Sequence, residues 1–252
     1  GSDPGGGAGI QADLKTFTAL KAFGMSAITA VTVQNTLGVT GFLTLPPRLV
    51  GAQIDAVLGD IGADAVKIGM LAEPGIIRAA AGRLKKFRVK NIVLDPVMIA
   101  KSGHALLADS AVTALRKELL GMALIVTPNA PEAERLGGRP VRCAKTAREA
   151  AKAIHALGPR FVLIKGGHLK GPVCRDLLYD GKEFREFSVR RLRTRNTHGT
   201  GCTLAAAIAA YIALGERVPD AVRKACAYLN GAIRNSFCLG GGHGPLNHFW
   251  NI

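Results

Sequence analysis

The stretch NTHGTGCTLAAAIAAY, residues 196–211, sets a thiol directly behind two glycines, at the start of an Ala-rich run. The backbone N–H groups of Gly199, Thr200, Gly201 and Cys202 can converge on one point, because glycine permits the dihedral angles that such a loop needs. A helix over about 202–214 aims the positive end of its dipole at the same point. Loop and helix together read as an anion hole suited to charge developing on a transferred phosphoryl group. A thiol on that first turn is expected to have its thiolate favoured by the helix end and by nearby cations. The other reading of Cys202 is a small buried residue that merely opens a helix.

Outward from this stretch, short β-branched runs alternate with longer Ala/Leu-rich segments. The predicted strands cover residues 26–33, 64–69, 91–95, 123–127 and 161–165, and most are continuously apolar, as strands buried on both faces should be. Amphipathic stretches at 9–22, 48–61, 73–87, 109–119 and 146–156 lie between them, the last opening on a capping-box pattern, Thr146 to Glu149. DLLYDGKEFREF reads as a hairpin turning at Asp180 and Gly181. This alternation predicts an α/β fold, a three-layer α/β/α sandwich with a mostly parallel central sheet, in one domain over 1–252. Ligands in such sheets bind outside the carboxyl ends of the strands, where IGM, DPVMIAKSG, TPNAPEAE and KGGH all fall.

Composition narrows the function classes. Among 252 residues, 48% are hydrophobic, enough for a sizeable core, and no apolar run approaches the roughly 20 residues that span a bilayer. Five widely spaced cysteines without a CxxC pair argue against a disulfide framework or a zinc knuckle and for reduced thiols in a cytoplasmic setting. The histidines, His104, His155, His243 and His248 among them, lack metal-ligand spacing, so no zinc site is expected. The net charge of +15 draws anions, but aromatic residues are only 5% and are not interleaved with the basic clusters FSVRRLRTR and RLKKFRVK. Solvated faces and phosphate steering explain that charge better than nucleic-acid binding does. GxxxxGK[ST] does not occur. Gly7, Gly9 and Ala12 fit the relaxed dinucleotide pattern, but no carboxylate stands near the spacing a ribose needs.

The blocks GSDPGGGAGIQADLKTF (1–17), VQNTLGV (33–39), KIGML (67–71), LDPVMIAKSG (94–103), TPNAPEAE (127–134), KGGH (165–168), NTHGTGCTLAAAIAA (196–210) and GHGPLNHF (242–249) follow one another in order. In these the chain resembles the hydroxymethylpyrimidine/phosphomethylpyrimidine kinases of bacterial thiamine biosynthesis, members of the ribokinase-like superfamily. The resemblance implies transfer of phosphate from ATP, with Mg²⁺, to the hydroxymethyl group of 4-amino-5-hydroxymethyl-2-methylpyrimidine and then to its monophosphate. It also implies a homodimer, a small-molecule pyrimidine as the partner besides ATP, and neither a membrane nor a nucleic acid. Superfamily relatives commonly carry aspartate where this chain has Cys202, which becomes the candidate base in the anion hole of Gly199, Thr200 and Gly201.

On the acceptor side the resemblance points to Gly1, Asp13 and Gln34 as polar contacts and to Met70 and Val97 as apolar walls. Gln34 is otherwise a turn residue, and Met70 and Val97 otherwise plain core. Lys165, Thr197 and Asp95 fall to the nucleotide phosphates. Asn129 and Glu132 make the Asn-x-x-Glu pattern linked to Mg²⁺ through its waters, a role compatible with a helix N-cap. His198 is expected to order its loop rather than act as a base, since no neighbouring carboxylate in the sequence fixes its tautomer. The chain departs from the pattern in lacking the strand expected ahead of GSDP, in Gly5 where serine is commoner, and in its ending NHFWNI. Competing readings are a pyridoxal kinase of the same superfamily and, remotely, a basic nucleic-acid-binding protein.

Overall fold

The computed structural model describes residues 1–98, 108–168 and 171–252. Helix α1 (Gly9–Ala19) is followed by a hairpin of β1 (Ala30–Gln34) and β2 (Val39–Thr44), then α2 (Pro47–Asp60). Strands and helices then alternate: β3 (Val66–Ile68), α3 (Pro74–Lys86), β4 (Ile92–Leu94), α4 (Asp109–Glu118), β5 (Ile125–Val126), α5 (Ala130–Gly137), α6 (Ala144–His155) and β6 (Phe161–Ile164). The hairpin β7 (Val173–Tyr179) and β8 (Phe184–Arg190) precedes two long helices, α7 (Thr200–Ala213) and α8 (Val218–Arg234). Strands β3 to β8 form one six-stranded sheet in sequence order, parallel through β6 and antiparallel thereafter.

Both faces of this sheet are covered, and the pleat shows how. Ile92, Leu94, Val126, Val162 and Ile164 pack with α3 to α6 in one core, whereas Val93, Ile125 and Leu163 pack with α7 and α8 in the other. Alternate side chains of one strand enter opposite cores, which makes the three layers. All these strand residues are at most 1% exposed, hence the continuous apolar runs in the sequence. The β7–β8 turn falls where Asp180 and Gly181 place it. Asp180 Oδ1 accepts the Lys182 and Glu183 N–H groups, and Gly181 takes φ of +94°.

Two local expectations are corrected. The strand predicted at 26–33 begins only at Ala30 and does not join the central sheet. It pairs antiparallel with β2, in a separate two-stranded sheet. Ahead of it, the Ile28 N–H and C=O are both taken by the Gln53 side chain and the Thr29 C=O by the Leu45 N–H, so that backbone is satisfied outside the large sheet. The capping box expected at Thr146 and Glu149 lies three residues earlier. Cys143 is the N-cap of α6, and the Thr146 hydroxyl accepts the backbone N–H groups of Arg142 and Cys143. The end of the DPVMIAKSG block, residues 99–103, and His104 lie outside the described residues.

Candidate active site

The carboxyl ends of β3 to β6, the hairpin β1–β2 and the N-terminus of α7 surround a cavity of about 1080 Å³. Gly1, Asp13, Gln34, Met70, Val97, Asp95, Asn129, Glu132, Lys165, Thr197, Gly199, Thr200, Gly201 and Cys202 all line it. Residues up to 201 positions apart in sequence thus meet on one surface, because parallel strands deliver all their outgoing loops to one sheet edge.

Gly199 is the N-cap of α7, with φ of +81°. A Cβ there would overlap the Gly7 carbonyl oxygen, so the two glycine loops touch backbone to backbone. Among the described hydrogen bonds, the Gly201 and Cys202 N–H groups have no acceptor, and the Thr200 N–H reaches only the Thr197 carbonyl at 3.4 Å. These first-turn amides point outward from the helix with its positive end behind them.

Beside them, Lys165 Nζ stands 2.7 Å from Asp95 Oδ1 and 3.7 Å from Glu132 Oε2. Burial alone would lower the Lys165 ammonium, but Asp95 and Glu132 hold it above its ordinary range, and it stays charged. A Cβ on Gly201 would lie 3.5 Å from Lys165 Nζ and 3.6 Å from Asp95 Oδ2, so this group adjoins the α7 amides. Glu132 is pushed up to about 7 by burial and the Asp95 charge, against the pull of Lys165. Its carboxylate accepts the Asn129 N–H at 2.8 Å, while Asn129 Oδ1 accepts the Glu132 N–H at 3.0 Å. The Asn-x-x-Glu pattern is therefore a capping box at the start of α5. Among the described residues, no three His, Cys, Asp or Glu side chains gather as a metal cage. A cation that keeps most of its waters needs no such cage, and Asp95 with Glu132 offers buried carboxylate oxygen beside the amides.

On the acceptor side, Asp13 makes a two-pronged ion pair with Lys67, at 2.9 and 3.0 Å. Burial raises the Asp13 carboxyl, Lys67 opposing it. Against its own burial, the carboxylates of Asp13 and Asp95 hold Lys67 charged. Gln34 Oε1 lies 3.1 Å from Thr32 Oγ1, and Gln34 Nε2 3.4 Å from His198 Nε2. Cys202 sits on the cavity wall, on the first turn of α7. The expected ease of forming its thiolate is not found. Burial pushes the Cys202 thiol up, Asp13 and Asp95 add to that, and Lys67 opposes it without winning.

The sequence reading also missed a carboxylate at His198. Asp3, 1% exposed, has its Oδ2 2.7 Å from His198 Nε2 and accepts the N–H groups of Gly5, Gly7 and Ala8. Its proximity arises from folding residues 195 apart together, and nothing local announces it. Lys67 was missed too, although a lysine in the short apolar strand β3 was a signal of a buried partner.

This geometry has close relatives. The chain matches the family described as phosphomethylpyrimidine kinase over residues 3–247. It is 51% identical to a hydroxymethylpyrimidine/phosphomethylpyrimidine kinase of Rhizobium meliloti, over 99% of this chain and 94% of that protein. It is 50% identical to a thiamine biosynthesis bifunctional protein of Geobacter sulfurreducens over 98% of this chain, but it spans only about half of that protein, 51% of its length. An ADP complex of Bacillus subtilis pyridoxal kinase shares its fold with a TM-score of 0.92 at 38% identity, covering 98% of this chain and 94% of that one. The fold is thus the ribokinase-like α/β sandwich. Since the family match takes in both glycine loops and all the strand ends around the cavity, the chain belongs to the phosphomethylpyrimidine kinase family.

Proposed function

We propose that this chain transfers the γ-phosphoryl group of ATP to the hydroxymethyl group of 4-amino-5-hydroxymethyl-2-methylpyrimidine, and then phosphorylates the monophosphate. The observation that carries the reading is the pair of uncommitted amides, Gly201 and Cys202, at the N-terminus of α7 beside the Lys165–Asp95 group. Such an arrangement is complementary to the negative charge of a loose phosphoryl-transfer transition state, where positioning and electrostatics do most of the catalysis. The same cavity carries Gln34, whose carboxamide can donate to and accept from an aminopyrimidine edge, and it is also lined by Asp13, with Met70 and Val97 as apolar walls. Gly1 contributes backbone to the acceptor loop, its carbonyl receiving the Ile10 N–H.

Lys165 and Thr197 face the nucleotide phosphates in this reading, and Cys202 takes the proton of the acceptor alcohol. Magnesium, when bound with ATP, neutralises phosphate charge. Asp95 and Glu132 would hold it through its waters, with Asn129 keeping Glu132 in place. The protein works in the cytoplasm as one kinase domain and as a homodimer. For the dimer, β1 and β2 present one apolar face, with Val31 48%, Val33 64% and Leu43 70% exposed.

Pyridoxal is the second acceptor to consider, because a pyridoxal kinase shares the fold so closely. The test is ADP release with Mg²⁺·ATP and hydroxymethylpyrimidine, its monophosphate or pyridoxal as separate acceptors. Turnover of both pyrimidines supports the proposal; turnover of pyridoxal alone reassigns the Gln34 pocket to a different ring. Gln34→Ala should raise KM for the pyrimidine and leave KM for ATP unchanged.

A further inference from the structure

We infer that Asp3 and His198 form a positioning pair that fixes the N-terminal ends of α1 and α7 against each other, and so sets the acceptor hydroxyl relative to the amides that receive the phosphoryl group. This rests on the kinase reading above. Asp3 belongs to the loop that enters α1, and one of the amides it holds is that of Ala8, the N-cap of α1. His198 is the residue before Gly199, the N-cap of α7, and its own N–H is tied to the Gly244 carbonyl at 3.1 Å. The two helices begin at one spot, since a Cβ on Gly199 would overlap the Gly7 carbonyl oxygen and lie 3.3 Å from Ala8 Cα. Among the described residues, Asp3–His198 is the one side-chain hydrogen bond that links residues 1–8 to residues 196–202.

The chemistry of the pair is determined by its partners. Asp3 Oδ1 accepts from Gly5, and Oδ2 accepts from Gly7, Ala8 and the imidazole. Burial works against the charge of Asp3, but the bonds from His198, Ala8 and Gly5 outweigh it and keep the carboxyl below its usual range. An ionised Asp3 only accepts, so His198 Nε2 carries the proton and donates it. That bond leaves Gln34 Nε2 only a 3.4 Å contact with the ring, and the Gln34 carboxamide remains available to an acceptor. The two loops meet in close contact around the pair: a Cβ on Gly7 would overlap the His198 ring, and one on Gly199 would overlap Gly7. Removing the bond leaves a buried carboxylate short of a donor and lets the two helix ends shift. Misplacement of reacting groups by about 1 Å costs on the order of 100-fold in rate.

The test compares His198→Ala, His198→Gln, Asp3→Asn and the double variant, all checked for a native thermal transition. His198→Ala should lower kcat on the pyrimidine about 100-fold with KM for ATP within about threefold. His198→Gln, which can still donate to Asp3, should recover to within about tenfold of the parent. Asp3→Asn, which sets an amide nitrogen against the N–H groups that the carboxylate holds, combined with His198→Ala should fall no further than the worse single variant, because the two residues act as one unit. A second readout needs no turnover: alkylation of Cys202 by iodoacetamide, followed by mass spectrometry, should speed up at least about tenfold in His198→Ala and not in His198→Gln. Unchanged kcat and labelling in His198→Ala, multiplicative losses in the double variant, or an equal fall in both His198 variants overturns the inference. If the parent phosphorylates no offered acceptor, the kinase reading falls, and Cys202 labelling still decides the pair.

Discussion

Replacement of Cys202 by alanine tests the catalytic proposal most directly. A positioned general base contributes about 10²–10⁴-fold, and a loose phosphoryl-transfer transition state draws on the low end of that range. The structure depresses the base further. An ordinary thiol near pKa ~8.5 is only about 3% thiolate at pH 7, and burial beside Asp13 and Asp95 moves Cys202 higher still. Cys202→Ala should therefore lower kcat about 100-fold, or about 2.7 kcal/mol of barrier. Direction in pH follows from the same shift. Below a raised thiol pKa, the reactive thiolate grows about tenfold with each pH unit, so kcat should climb steeply from pH 7.5 to 8.5. This window lies above the Glu132 carboxyl, near 7, whose titration would otherwise overlay the rise. The assay is ADP release at saturating ATP and pyrimidine, run across that window for the parent and the variant. In Cys202→Ala the rise should vanish. A variant within about threefold of the parent, or one that keeps the slope, refutes Cys202 as the base.

Three other perturbations probe the surrounding structure. Gly199→Ala forces φ of +81° on a residue with a Cβ and drives that Cβ into Gly7, so kcat should fall at least about 100-fold while circular dichroism stays native. Lys67→Met strands the buried Asp13 carboxylate and should destabilise the fold by about 3 kcal/mol in urea titration, whereas Asp13→Leu with Lys67→Met should cost much less. His248, 3.0 Å from Thr203 on α7, is pushed down to about 4 by burial, with Lys15 adding to the effect. The unfolded chain takes up that proton near pH ~6.5 and the folded chain only near 4, so stability is full above the first value and falls as pH drops toward the second. His248→Gln should flatten the thermal midpoint between pH 6.5 and 4, and an unchanged acid limb would contradict the assignment.

The layers of this fold were legible in the sequence because burial on both faces writes itself locally. Continuous runs such as NIVLD and FVLIK became β4 and β6, and the Ala-rich run around Cys202 became α7, which is buried from Thr203 through Ala210. The loops at the strand ends were legible for the same reason, since glycine and polar clusters interrupt apolar periodicity wherever a parallel strand stops. The separate sheet of β1 and β2 was not, because strand pairing is a choice of partner. Gln53 and Leu45 decided it by satisfying the backbone of Ile28 and Thr29. The identities of the cavity residues could be proposed from their types, but their electrostatics could not. Cys202 looked activated when only its helix was considered. Burial and the carboxylates of Asp13 and Asp95, distant in sequence, reversed that sign. Asp3 beside His198 is the same lesson in geometry. Propensity and burial pattern act through neighbours in the chain, whereas desolvation and charge act through neighbours in space, and only the tertiary structure chooses those.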